Sequence, residues 1–249
     1  ECNNQFIRID ITLIWYQVIF MKNIEEFQKK YAEFFAERFI YSTAEVEKSE
    51  DKSLKKQQIA SVLKAYKYLL DKPSDERLTL KDIKEIGDIV NFDSDTPEGF
   101  RRIEVNPGNK ANFIPSNPRN ILNDLNQLLM NYYYMWSEID PFLREAMFHI
   151  SYMRIHPFED GNKRSAKLIT TINLLKEGLP PVIITKEDTD EYYEFINNSD
   201  YNGFAEFLKQ RSNLEDNTMV GFYKIQENIS PLDEVDNDSI KKILKKSVK

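Results

Sequence analysis

The sequence predicts a mostly helical fold with one small β-hairpin. Three observations lead there. Glycine and proline are scarce, 7 and 10 in 249 residues, too few for a turn-rich sandwich or a repeat of Gly-rich loops. Apolar residues recur at helical spacing along most of the chain. One stretch, DTPEGFRRIEVNPGNKANFIPSNP (95–118), breaks that pattern with turn residues between two short extended runs.

Taken in order, EEFQKKYAEFFAERFIYSTAEVE reads as a helix with Phe27, Tyr31, Phe34 and Phe35 on one side, and EKSEDKS (47–53) is a charged break. A second helix, 54–70, aligns Leu54, Gln58, Val62, Ala65 and Leu69. After the loop 71–76, TLKDIKEIGDIV (79–90) is a third helix, with Thr79 as N-cap and Asp82 in its first turn. The runs 101–105 and 111–114 then flank NPGNK as the arms of the hairpin. Asn117-Pro118 supplies N-cap and N1 of a helix that carries Ile121, Leu125, Leu128 and Leu129. Asp140-Pro141 does the same for a helix with Phe142, Ala146, Ile150 and Met153 inward. That helix ends near His156, because Pro157 disfavours α backbone in the residue before it. A helix restarts after Gly161-Asn162 and runs through Leu168, Ile172 and Leu175 to a stop at Gly178. PPVIIT is a short extended piece, EDTDEYYEFINNSDYNGFAEFLKQR gives two more helical segments, and the chain after Asn213 is polar.

Composition narrows the function. A length of 249 residues suits one large domain, or one domain with appendages, and allows a full core. The net charge of −7 argues against nucleic acid as a partner, which needs a basic stripe, but leaves room for a local phosphate site. One cysteine, Cys2, permits no internal disulfide, and with two histidines it excludes the usual His/Cys zinc cages. The apolar run 7–20 is interrupted by Arg8 and Asp10 and falls short of a membrane span, so no membrane partner is expected. It also lacks the features of a signal peptide, and the expected location is cytoplasmic.

The chemistry concentrates in RIHPFEDGNKRSAK (154–167). His156 closes one helix, Arg164 lies in the first turn of the next, and Asp160-Gly161 turns the chain between them. The N–H groups of Gly161, Asn162 and Lys163 stand at a helix N-terminus, a ready anion site. Lys163 and Arg164 add positive charge, and Arg grips phosphate with a planar fork. Asp160 is placed to hold Mg²⁺ against phosphate oxygens. His156 is the nearby group that is a neutral base near pH 7. Each part alone reads most simply as structure: a satisfied histidine, a turn, a solvated cationic first turn. Their conjunction describes phosphoryl or nucleotidyl transfer.

HPFEDGNKR resembles the signature of the Fic (Fido) family, His-Pro-Phe-x-Asp/Glu-Gly-Asn-Gly/Lys-Arg. REAMFHISYMRIHPF is similar to that family's helix before the loop. GFRRIEVNPGNKANFIPSNP resembles its target-docking flap, and INLLKEGLPPVIIT with EYYEFINN its downstream helices. The resemblance covers roughly 80–211 and implies an all-α domain with a hairpin flap. It implies transfer of AMP from ATP to a hydroxyl of a target protein: His156 as base, Asp160 on Mg²⁺, Gly161, Asn162 and Lys163 in the anion hole, and Arg164 and Lys167 on phosphates. Arg101, Arg102, Ile103 and Phe113 would belong to the flap, which aligns the target by strand pairing. His149 reads as packing or a helix cap.

Two positions depart from the commonest family pattern: Lys163 stands for Gly and Lys167 for a second Arg. A Lys-containing motif resembles the death-on-curing branch, which transfers the terminal phosphate. Pro157, Phe158 and the N-terminal helices resemble the larger AMP-transferring proteins, and AMP transfer is the favoured reading. Phosphotransfer, or a weakly active nucleotide- or partner-binding module, is the alternative. YSTAEVEK resembles the family's inhibitory helix, with Thr43 and Glu47 in a Ser/Thr-x-x-x-Glu pattern. Glu47 would face Lys167, which cannot make the two-pronged pair that arginine makes, so the lock would be loose. The resemblance implies ATP and a target protein as partners, allows self-modification, and allows a homodimer. It divides the chain into an N-terminal segment 1–20, a helical extension 21–79, the Fic domain 80–211 and a polar tail 212–249.

Overall fold

The computed structural model describes residues 30–43, 52–73, 75–92 and 96–226. The expectations for 1–20, for Glu47 and for the last residues of the tail lie outside the described residues. The helices are α1 (30–43), α2 (Lys52–Leu70), α3 (Leu80–Val90), α4 (Ile121–Met130), α5 (Pro141–Ile155), α6 (Asn162–Lys176), α7 (Thr189–Asn198) and α8 (Tyr201–Gln226). Among the described residues no helix is long and apolar enough to cross a membrane.

The chain divides into two compact units, Glu1–Glu37 with Asp216–Lys249, and Arg38–Glu215. In the first, Phe222 stacks on Phe34 at 4.9 Å and meets Tyr31 edge-on at 5.7 Å. The second holds the motif. There α5 and α6 pack together, α2 and α3 lie on α6, and α4 lies on α5.

Helix boundaries follow local chemistry. Thr79 and Asp82 form a reciprocal capping box on α3. Asp82 also accepts from Tyr68 Oη at 2.8 Å and Lys72 Nζ at 2.9 Å. Burial pushes the Asp82 carboxyl up, but the donors from Thr79, Lys72 and Tyr68 outweigh it and hold the pKa at about 2. Asp140 caps α5 by accepting from Phe142 N and Leu143 N, with Pro141 at N1. Asn117 caps a 3₁₀ turn, Pro118–Asn120, that feeds α4, and a π turn, Asn131–Met135, follows α4. At the end of α6, Gly178 has φ 71°, and the bonds Gly178 N to Leu175 O and Leu179 N to Leu174 O close a Schellman motif.

Helix α6 is buried on almost every side, as expected of a central helix. Its polar side chains find partners there. Ser165 Oγ donates to Gly161 O at 2.9 Å, and Thr170 Oγ1 lies 2.9 Å from His149 Nδ1. Thr171 donates to Val182 O and Lys167 to Ile184 O, which ties the extended 182–184 run to α6. His149, on α5, is fully buried between Thr170 and Tyr192 and packs as its position suggests.

One expectation needs correction. No strand forms among the described residues, so the hairpin expected of 101–105 and 111–114 is not formed as a strand pair. One position of the second arm is engaged elsewhere: Asn197 accepts from Asn112 N at 2.7 Å, and it also donates to Lys110 O, in the turn, at 2.9 Å. The polar chain after Asn213 continues as helix as far as Gln226.

Two outcomes follow from this packing. Gly87 on α3 faces the Phe158 ring, and a Cβ there would stand 2.1 Å from Phe158 Cζ. Gly87→Ala should cost ~1–3 kcal/mol of stability by overpacking, measured by denaturant unfolding, because the ring is wedged against Phe100 and cannot retreat freely. A cost below that range would show that the ring is mobile. The second outcome concerns pH. Burial raises the fully buried Glu145 carboxyl to about 8, against donors from Tyr132 and Asn173, so the folded chain keeps a proton that the unfolded chain loses near 4.5. That contribution to stability is present at low pH and is lost as pH rises towards 8. Burial, then the Lys167 charge, lowers His149 to about 3, so the unfolded chain gains a proton below 6.5 that the folded one refuses. Between pH 4.5 and 6.5 these two slopes cancel, and His156, which burial lowers to about 4, adds a second rise towards 6.5, so stability should peak near pH 6.5 and fall on both sides, and Glu145→Gln should flatten the alkaline side in thermal melts. A wild-type melt that does not change between neutral pH and pH 8 would contradict the Glu145 assignment.

Candidate active site

The turn from α5 to α6 is made by two left-handed residues. His156 is the C-cap of α5 at φ 53°, ψ 63°, and Gly161 precedes α6 at φ 77°, ψ 3°. Glycine is required at 161 twice over. The backbone is left-handed, and a Cβ would meet Asn91 Oδ1 at 2.5 Å and Val90 Cγ1 at 2.9 Å. Between these residues, Phe158 is buried against α3 and stacks on Phe100 at 5.6 Å. Asn162 brackets it: Phe158 N donates to Asn162 Oδ1 at 2.9 Å, and Asn162 Nδ2 donates to Phe158 O at 2.9 Å. Asn91 Nδ2 donates to Asp160 O at 2.8 Å, holding the turn from the end of α3.

A cleft of about 240 Å³ lies over this turn, lined among others by Asn106–Gly108, Met153, His156, Asp160, Lys163 and Tyr193. The NPG turn of the extended arms thus forms one wall. Lys163 lies 5.8 Å from the centre of the Tyr193 ring on α7.

His156 is 7% exposed. Its Nδ1 sits 3.3 Å from Met153 O. A carbonyl oxygen only accepts, so Nδ1 carries the proton and Nε2 is the ring's basic nitrogen. Burial pulls the His156 pKa down. The Met153 carbonyl raises it, the Arg101 charge lowers it, Asp160 raises it, and it settles at about 4. The imidazole is therefore neutral at physiological pH.

The predicted phosphate residues divide into two groups. Gly161, Asn162 and Lys163 line the cleft at the N-terminus of α6, with Asp160 beside them. Their roles are more internal than a plain anion cradle. Gly161 N donates to Asp160 Oδ1 at 2.6 Å, and the Asn162 side chain is spent on Phe158. Arg164 and Lys167 do not line the cleft. Arg164 donates to Asp160 Oδ2 at 2.8 Å and to Val90 O at 3.0 Å, bracing the Asp160 carboxylate from below. Lys167, 2% exposed, donates to Ile184 O at 3.1 Å and lies over the Tyr192 ring. Thr43, of the inhibitory pattern, is buried at the end of α1.

The arm residues also divide. Arg102 is exposed, Ile103 is 56% exposed, and Phe113 is half-buried, 6.4 Å from the His156 ring. Arg101 is different: its side chain is wholly buried and bonds to backbone carbonyls, so it presents nothing to a docking partner. Sequence reading missed Gly87, Asn91, Met153 and Tyr193. A glycine inside the helical pattern of α3 was a usable signal of close approach. The others carry no local mark.

Residues 77–174 match the Fic/DOC family. The chain is similar, at 34% identity over 142 residues, to the protein adenylyltransferase Fic of Aedes aegypti, a match covering 53% of this chain and 27% of that relative. The chain thus spans about a quarter of the length of such relatives. Among solved structures, Fic-1 from C. elegans aligns with a TM-score of 0.65 at 19% identity, covering 88% of this chain and 74% of that one. A Fic domain containing signaling protein from Bacteroides thetaiotaomicron aligns with a TM-score of 0.62 at 19% identity, covering 94% and 93%. These two likenesses speak for the fold. The matched residues run from before α3 through the cleft turn into α6, so the part of the chain that holds the cleft is the part similar to the Fic/DOC family.

Proposed function

We propose that this chain transfers AMP from Mg-ATP to a hydroxyl side chain of a target protein, with His156 as general base. The observation that carries the reading is the state of His156. It is a neutral imidazole whose tautomer is set by Met153 O, in a cleft that also holds a helix N-terminus. The target hydroxyl gives its proton to Nε2 as its oxygen bonds to the α-phosphorus, and the bond from that phosphorus to the β-phosphate oxygen breaks, releasing pyrophosphate. The N–H groups at the start of α6 and the Lys163 ammonium stabilise the charge that gathers on the phosphate oxygens.

The residues present suit Mg²⁺. Among the described residues no group of three or more acids, histidines or cysteines could hold an ion unaided. Mg²⁺ is usually held by one or two carboxylates with the phosphates it accompanies, and Asp160, 48% exposed and braced by Arg164, fits that role. Bound there, the ion would neutralise phosphate charge. The target would lie along the exposed 102–104 arm, near Arg102 and Ile103, and a protein as acceptor is consistent with the name of the Aedes relative.

Lys163 keeps phosphotransfer as the second reading, because an ammonium in the cleft gives a triphosphate a second way to lie. ATP labelled at the α- or the γ-phosphate, with lysate proteins and the chain itself as acceptors, separates the two. Label from the α-position, reduced roughly 10²–10⁴-fold in His156→Ala, is the expected result. Label from the γ-position alone would replace AMP transfer with phosphotransfer. No label from either, with ATP bound, would leave a nucleotide-binding module. The pH profile is a separate check. A base near 4 is still neutral at pH 5, so the single-turnover rate should hold between about pH 5 and 7, whereas an ordinary histidine would lose half its rate at 6.5. A midpoint near 6.5 would remove His156 from the role of buried base.

A further inference from the structure

We infer that Arg101 is the positioning residue of the active site: it sets the left-handed backbone of His156 and thereby aims the base. The inference rests on the reading of His156 given above. Its basis is a buried cation whose side-chain hydrogen bonds all go to backbone carbonyls. The Arg101 side chain is fully buried, and its nearest carboxylate, on the exposed Glu104, is 4.0 Å away. Its guanidinium serves backbone instead. Nε donates to His156 O at 2.6 Å, Nη1 to Ile103 O at 2.8 Å, and Nη2 to Ser116 O and, at 3.3 Å, to Ile155 O. Its own N–H donates to Pro157 O at 2.9 Å, and beside it Ser116 N donates to Arg154 O at 3.2 Å.

These bonds converge where the backbone is least content. Pro157 pushes the residue before it towards extended backbone, yet His156 is left-handed at φ 53° and ψ 63°. Such a conformation persists only where the surroundings over-determine it. The carbonyls of Ile155 and His156 are also the last of α5, the negative end of that helix, and have no helical donor. One planar guanidinium fills that need and reaches both arms of the 101–116 loop at once. Lysine, a single point donor, cannot span the same set. Arg101 therefore couples the cleft wall to the base: the segment carrying Asn106–Gly108 and the carbonyl of His156 hang on one side chain.

The chain has two histidines, which makes the test direct. Imidazole resonances of the full chain are recorded for wild type, Arg101→Lys and Arg101→Gln, with buried His149 as internal reference. The His156 signals should move or broaden in both variants while those of His149 stay in place. In the transfer assay kcat should fall roughly 100-fold in Arg101→Gln, as expected when a reacting group is misplaced by about an ångström, with ATP affinity unchanged. Arg101→Lys should fall between the two. Unmoved His156 signals overturn the inference. So does movement of both histidines together, a loss of ATP affinity equal to the loss of rate, or failure of both variants to fold, each of which makes Arg101 a residue of general stability. Absence of transfer by the wild type counts against the proposed reaction and not against Arg101, which the histidine spectra then decide alone.

Discussion

The tight reversal between α5 and α6 is the constraint on which the rest of this structure depends. Two central helices must be joined closely enough to bury nearly every side of α6, and the turn from His156 to Gly161 does it with a left-handed residue at each end. For glycine that backbone costs little. For histidine it costs ~1–3 kcal/mol. Hydrogen bonds to a charged group contribute about 1.5–3 kcal/mol each, so two carbonyls bound by the Arg101 guanidinium are enough to hold it. The strain falls on the residue whose placement matters most to the proposed chemistry.

The same turn is braced from the side that faces away from the cleft. Phe158 fills a notch left by Gly87, Asn162 clamps the Phe158 backbone on both sides, and Asn91 ties down the Asp160 carbonyl. Arg164 then pins the Asp160 carboxylate. Asn162 and Arg164, which read as phosphate ligands in sequence, spend their side chains on the turn itself. A site that must hold phosphates needs donors already fixed in place, because donors that must reorganise lose much of their worth.

Charge is managed locally. The chain is acidic, at −7, yet the cleft gathers Lys163 and the N-terminus of α6 beside two half-buried carboxylates, Glu159 and Asp160. Burial keeps both histidines neutral for different ends. His149 is locked between Thr170 and Tyr192 as packing, while His156 keeps one nitrogen bonded to Met153 O and the other basic. Lys167 shows the opposite use of a cation: sunk in the core, it ties the extended 182–184 run to α6.

The sequence by itself determined the helical class, the capping of α3 and α5, the glycine stop of α6 and the turn between α5 and α6 that the proposed chemistry uses. Each of these is written in neighbouring residues: Thr79 with Asp82, Asp140 with Pro141, Gly178, and His156 through Arg164. Only the tertiary structure decided which charged groups meet the cleft. Arg101 and Arg102 are adjacent in a loop and look alike in sequence, yet one is buried under His156 and the other is exposed. Arg164 and Lys167 share a helix with Lys163, but Arg164, the next residue round the helix, turns to Asp160, and Lys167, one turn deeper, turns to Ile184. The expected hairpin is not formed as a strand pair, and the side chain of Asn197, from a distant helix, holds Asn112 N and Lys110 O instead. Caps and turns are local hydrogen-bond problems, whereas the fate of a charge depends on what the rest of the chain brings to it.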